Sequence, residues 1–222
     1  MSNNLLPDFP PPPWRLRGEG LIMLAFPEVE RTQSFLPAPL TIQSIFPGRT
    51  IGGYYIARYT NEPGSEEHSV WHEWGNVLCA ARSGSTRALF VNAMVVDSES
   101  SLAGGRREWG LNKDLAEYLF EKTNSGGRVA FQNRKGRVAV QWKRYGVSIP
   151  LRGTMRFLSI REQSPHRFSS SLKAKFQLCR ITIETMQHPE FSFHSRRRYW
   201  GVYFHAGEIE VEEPEGIEGI SV

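Results

Sequence analysis

The sequence predicts a mainly β domain, β-rich α+β in class, and three observations carry that prediction. Strand-like segments follow one another at short spacing, only one stretch has helical periodicity, and Phe, Trp and Tyr make up 12% of the residues, a supply that suits pleated, half-buried surfaces. Many strands with a single helix indicate a barrel or packed sheets rather than βαβ units. The 222 residues fit one large domain, long enough to bury roughly 70% of its unfolded surface. The expected organisation is a proline-rich arm over 1–13, one domain over 14–206 and an acidic tail over 207–222.

In chain order, Phe9-Pro10-Pro11-Pro12-Pro13 fixes φ and removes donors, so it reads as an extended arm. Leu21–Phe26 is apolar throughout, as in a strand buried on both faces, and Phe35–Leu40 with its two prolines is a corner. Ile51–Thr60 reads as a strand with close backbone approach at Gly52-Gly53, and Asn61-Glu62-Pro63-Gly64 as a turn. Val70–Ala81 and Arg87–Val96 flank the turn at Ser83-Gly84-Ser85. The helix is expected over Asn112–Lys122, where Leu115, Ala116, Leu119 and Phe120 share one face and Asn112 is placed to cap it. Val129–Gln132 and Arg137–Trp142 form a hairpin about Asn133-Arg134-Lys135-Gly136. Val147–Ile160, Leu172–Thr185 and Arg198–His205 complete the strands.

Lys and Arg number 27 against 23 Asp and Glu, but six glutamates lie from Glu208 onward with no basic residue after Ala206. The rest of the chain therefore carries about +10. Arg196-Arg197-Arg198-Tyr199-Trp200 mixes cations and aromatics without a recognisable nucleic-acid module, so no nucleic-acid partner is expected. No apolar run approaches the roughly 20 residues of a membrane span, so no membrane insertion is expected. Cys79 and Cys179 stand alone, as buried thiols in a reducing cytosol do, and His68 and His72 fall in a loop and a strand, so neither a disulfide nor a metal site is expected. With no basic-then-apolar leader, a cytoplasmic location is expected.

The stretch from Val96 through Asp97-Ser98-Glu99 and Gly104-Gly105-Arg106 to Trp109-Gly110-Leu111-Asn112-Lys113-Asp114-Leu115 resembles the acetoacetate decarboxylase-like family. Pro13-Trp14, Leu36-Pro37 and Gly52-Gly53-Tyr54-Tyr55-Ile56-Ala57-Arg58-Tyr59 resemble its plant and cyanobacterial subgroup, linked to xanthophyll metabolism. The blocks keep their order over about positions 11–120. The resemblance implies an antiparallel β-barrel or cone with one or two short helices, a homo-oligomer and no metal or organic cofactor.

It also implies lyase chemistry, either decarboxylation or aldol and dehydration steps, in which Lys113 forms a Schiff base with a small keto acid or other carbonyl compound. A lysine at its ordinary pKa is neutral in about one molecule in 2,500 at pH 7, so such a site must favour the free amine. Glu73, between Trp71 and Trp74, matches the family's pocket glutamate and suits acid/base work. Strand alternation places Trp71, Glu73 and Gly75 on one face and His72 and Trp74 on the other, so Glu73 can equally be an outward residue. Arg106 is a candidate for a substrate anion, or pairs with Asp97 or Glu99.

Departures from the family pattern are Asn112 for proline, Asp114 for a second lysine, Arg107 for glutamate, Glu19 where an early arginine stands, and Tyr54 near a family glutamate. Asp114 is an anion that would favour a charged Lys113 if it lay close. Tyr54, Trp71 and Trp109 join Arg106 as substrate-binding candidates. These aromatics also suit the alternative reading, a non-catalytic or differently catalytic binder of an apolar ligand such as a carotenoid or polyketide-like molecule. The acidic tail, with Ile209, Val211, Ile217, Ile220 and Val222, is expected to lie on an adjacent subunit.

Overall fold

The computed structural model describes residues 9–63, 68–191 and 197–217. Residues 1–8 of the expected arm, Gly64 of the expected turn, His194, Arg196 and residues 218–222 lie outside the described residues. The elements are β1 (Trp14–Ala25), α1 (Val29–Gln33), β2 (Thr41–Ile42), β3 (Gly52–Asn61), β4 (His68–Ser83), β5 (Thr86–Val96), α2 (Glu99–Arg107), β6 (Lys113–Leu115), β7 (Glu117–Lys122), β8 (Gly126–Asn133), β9 (Gly136–Arg161), β10 (Ser164–Gln187), β11 (Arg198–Val211) and β12 (Glu215–Gly216). Among the described residues no helix is long and apolar enough to cross a membrane.

One sheet takes in every strand. Its central path runs β10-β11-β1-β3-β4-β5-β9, and because β9 also pairs with β10 these strands close into a ring. Pairing is antiparallel except where β5 meets β6 and β9. The β5–β9 seam is short, with Leu89 opposite Phe157 and Phe90 opposite Leu158. Closure removes most of the exposed edges that an open sheet would leave unpaired.

Strands β1, β3, β4 and β5 are covered on both faces. One face gives Leu21, Met23, Tyr54, Ile56, Trp74 and Val95 to a core completed by the β8–β9 hairpin through Val129, Phe131, Val138 and Val140. The other face carries Tyr55, Ala57, Tyr59, Trp71 and Val96, against β10 and β11. This double burial explains why the segment around Leu21 reads as continuously apolar. It stops short of the expected bound, since Leu24 is 54% exposed and Phe26 is 45% exposed.

The expected helix over Asn112–Lys122 is absent. That segment forms β6 and β7, and Tyr118 and Phe120 pack against the first core while Leu119 is exposed. The spacing of Ala116, Tyr118 and Phe120 is a period of two, and it overrides the apparent helical face. The helix lies upstream, at α2. There Ser98 accepts from the Ser101 amide at 3.1 Å, a side-chain N-cap.

The acidic segment expected as a tail is, up to Val211, part of β11. Glu208, Ile209 and Glu210 pair with Arg17, Leu16 and Arg15 of β1 and with Lys173, Leu172 and Ser171 of β10. Ile209 is buried in the chain's own second core, so it is not free to lie on a neighbour. The acid–base contrast read in the sequence is satisfied within the sheet, by Lys173–Glu208 at 3.0 Å and Arg15–Glu210 at 3.5 Å.

Candidate active site

Glu73 sits on β4, opposite Ala57 on one side and Val96 on the other. Alternation along β4 turns Trp71 and Glu73 into the ring and Trp74 into the opposite core. Lys113 enters from the short parallel strand β6, in register with Met94. Its Nζ donates to Glu73 Oε2 at 2.6 Å and to Ser101 Oγ of α2 at 3.0 Å. Lys113 is 2% exposed and Glu73 6%.

The lysine reaches that position because α2 carries Gly104-Gly105. A Cβ on Gly105 would stand 2.5 Å from Lys113 Cε and 2.7 Å from Cδ, and one on Gly104 would strike the Trp14 ring. The absent side chains let the helix close on both. The Lys113 ammonium lies 5.9 Å from the centroid of Trp14, within cation–π range.

Behind Glu73 runs a chain of phenols. Tyr59 donates its hydroxyl proton to Glu73 Oε1 at 3.2 Å, and the Tyr55 hydroxyl lies 2.9 Å from that of Tyr59. Burial, with the Glu73 charge beside it, pushes the Tyr59 phenol well above its ordinary value, and burial raises Tyr55 too. Both stay neutral, so the Tyr59 proton is committed to Glu73 and Tyr55 donates to Tyr59.

Glu73 and Lys113 open onto a cavity of about 150 Å³. Three indoles wall it, and each satisfies its N–H on a backbone carbonyl: Trp14 on Pro10 at 2.9 Å, Trp71 on Asn61 at 2.8 Å, Trp109 on Glu212 at 2.9 Å. With their polar handles occupied, they present carbon to the interior. Trp14 and Trp109 pack edge to face at 4.5 Å. Ile209 and Val211 of β11 complete the wall.

The structure thus brings together Lys113, Glu73, Trp71 and Trp109; Tyr54 borders the same cavity, and Arg106 lies outside it. The Arg106 guanidinium is turned away from the cavity, with Nε on the Lys113 carbonyl at 2.8 Å and Nη2 at 3.3 Å from Asp114 Oδ1; it braces the lysine's backbone. The Tyr54 ring lies on the first-core face, and its hydroxyl donates to the Phe191 carbonyl. Its neighbour Tyr55 is the tyrosine that faces Glu73. Asp114, which would favour a charged Lys113 only if it lay close, points to the opposite side of β6 and is held by Arg106 and by Lys135 at 2.6 Å. Glu19 pairs with Lys122 and, at 3.5 Å, with Arg58.

Sequence reasoning missed Trp14, Tyr55, Tyr59, Ser101 and Gly105 as site residues. The tyrosines were within reach of an alternation argument, because residues two apart from Ala57 share the face of Glu73 once β3 and β4 are in register.

A lysine ammonium buried beside one carboxylate and opening on an apolar cavity, in a closed β ring, defines the class of protein at hand. The chain belongs to the acetoacetate decarboxylase family: the family model described as acetoacetate decarboxylase (ADC) matches residues 3–159. Among curated proteins it is similar to Protein NEOXANTHIN-DEFICIENT 1 of Oryza sativa subsp. japonica, 28% identical over 114 residues, which cover 48% of this chain and 34% of that protein. It is also similar to Acetoacetate decarboxylase 3 of Mesorhizobium japonicum, 29% identical over 111 residues, covering 50% of this chain and 40% of the relative. The matches thus span well under half the length of these relatives.

Among solved structures, acetoacetate decarboxylase from Legionella pneumophila superposes with a TM-score of 0.67 at 13% identity, covering 97% of this chain and 91% of the other. The enduracididine biosynthesis enzyme MppR complexed with pyruvate gives 0.64 at 13% identity, covering 94% and 91%. At such identity these likenesses establish the fold, and the mainly β architecture expected from the sequence is the one observed.

Proposed function

We propose that the protein is a Schiff-base-forming lyase acting on a small carbonyl compound, with Lys113 as nucleophile and Glu73 as acid/base. The observation that carries it is the 2.6 Å contact between Lys113 Nζ and Glu73 Oε2 at the wall of an apolar cavity. Ion pairs of this burial add little net stability, since each charge forfeits several kcal/mol of hydration; they cluster at functional sites.

In the first step the Glu73 carboxylate takes a proton from the ammonium, and the freed amine attacks the carbonyl carbon. A second proton passes from the attacking nitrogen to the oxygen to give the carbinolamine; Glu73 then returns its proton to that hydroxyl, which leaves as water, and an iminium remains. The iminium then accepts the electron pair of a breaking C–C or C–H bond beside it. Tyr59 steadies one Glu73 oxygen while the other moves the proton, and Ser101 holds the amine in line. Family membership, and a fold neighbour described as complexed with pyruvate, support a small carbonyl substrate.

Borohydride trapping followed by intact mass and peptide mapping tests the reading. A carbonyl substrate is expected to label Lys113, and labelling unchanged in Lys113→Ala refutes it. Homo-oligomer assembly belongs to the same proposal, supported by the exposed Val147, Ile149 and Leu151 on β9; light scattering showing a monomer rejects it.

The second reading, a binder of an apolar ligand, draws on the indole walls and on similarity to NEOXANTHIN-DEFICIENT 1. Volume weighs against an enclosed carotenoid, because a cavity of about 150 Å³ holds a molecule about the size of benzene. A ligand co-purifying with the protein, seen by absorbance or mass spectrometry, would favour it.

A further inference from the structure

We infer that the carbonyl substrate of this site carries no carboxylate: it is an uncharged, apolar aldehyde or ketone. The inference rests on the imine reading of Lys113 and narrows it.

Among the described residues that line the cavity, Lys113 is the one cation and Glu73 the one anion. The lysine's charge is already matched by Glu73 at 2.6 Å. Once an imine forms, the iminium inherits that charge and that partner. A substrate carboxylate would then be a second anion with no cation of its own, in a space walled by indole, phenyl and aliphatic carbon.

Candidate partners for it are committed elsewhere. Arg106 is fastened to the Lys113 carbonyl and to Asp114. Arg58 and Lys122 hold Glu19, and Arg161 donates to the Glu108 carbonyl at 3.2 Å. The hydroxyl donors are spent as well, since Tyr59 serves Glu73 and Tyr55 serves Tyr59. Of the remaining lining groups only the Ser170 hydroxyl could donate. A carboxylate could enter with its charge balanced only if Glu73 took up a proton and kept it, and Glu73 would then no longer serve as the base that frees the Lys113 amine.

The test uses pairs of carbonyl compounds that differ by one carboxylate: acetone against acetoacetate, acetaldehyde against pyruvate, and butanone against 2-oxobutyrate. Each is trapped on the full chain with borohydride across a concentration series. Extents are normalised to a simple alkylamine treated alike, which removes intrinsic electrophilicity. The neutral member of each pair is expected to reach half-maximal labelling of Lys113 at a concentration at least tenfold lower, and benzaldehyde to label efficiently. Equal or better labelling by the keto acids, or release of carbon dioxide from acetoacetate that is lost in Lys113→Ala, overturns this inference and leaves the imine reading standing. No labelling by either member of any pair overturns both.

Discussion

Replacing Gly105 with alanine should disable the lysine while leaving the fold largely intact. The new methyl group would stand 2.5 Å from Lys113 Cε and 3.0 Å from Nζ, against an ordinary carbon–carbon separation of about 3.5 Å. The lysine must therefore retreat by about 1 Å. It has little freedom to do so, because its ammonium is fixed by Glu73 at 2.6 Å and Ser101 at 3.0 Å. Overpacking of this kind costs about 1–3 kcal/mol, and alanine returns about 1 kcal/mol of helix propensity in α2, for a net loss of about 0–2 kcal/mol. Displacing a reacting group by about 1 Å slows its chemistry about a hundredfold. The assay is the rate of borohydride trapping beside a thermal melt. Gly104→Ala is the control, since its methyl group meets Trp14 and spares Lys113: it should destabilise comparably and slow trapping far less. A Gly105→Ala protein that is folded and labels at the wild-type rate refutes the positioning argument.

Lys113→Met leaves the Glu73 carboxylate buried without its cation and should cost about 3–5 kcal/mol in denaturant unfolding, much of it recovered in Lys113→Met/Glu73→Gln. Tyr59→Phe removes the donor to Glu73 Oε1 and should cost about 1 kcal/mol while slowing trapping roughly tenfold, read from the same two assays. Burial alone would raise the Glu19 carboxyl, yet the hydrogen bonds of Lys122 and Tyr203 and the charges of Lys122 and Arg58 hold it below the ordinary glutamate value. Its contribution to stability is complete above the ordinary glutamate range and is lost as pH falls through the lower folded value, so Glu19→Gln should flatten that acid limb of the stability curve. Burial pushes the Cys79 and Cys179 thiols up to about 12, and neither should react with iodoacetamide at pH 8 until the protein is denatured.

Much of the strand order was legible because turns announce themselves locally. Ser83-Gly84-Ser85 and Asn133-Arg134-Lys135-Gly136 each join the strands expected of them. The helix was not, for two reasons in opposite directions. In 115–120 a two-residue period happens to place apolar residues three and four apart, and only the pairing of β7 with β8 decides between them. In Glu99–Arg107 two glycines and two serines conceal a helix; it is held by its cap and by contacts with Trp14 and Lys113 that no local pattern encodes. The same limit applied to the site. The family resemblance pointed to Lys113 and Glu73, but which of two adjacent tyrosines faces them depends on strand register, and the side to which Arg106 turns depends on a carbonyl seven residues away.

The pairing of Trp14 with Val211 has a consequence for how the protein is made. Lys113 leaves the ribosome well before the strand that supplies Ile209 and Val211 to its surroundings. At about 5–20 residues per second, the roughly hundred residues between them take on the order of 5–20 s to synthesise. For that interval the nascent amine lacks the part of its surroundings that Ile209 and Val211 supply. Any chain halted before Ile209 stays in that condition. The site is therefore completed late, when β11 inserts between β1 and β10.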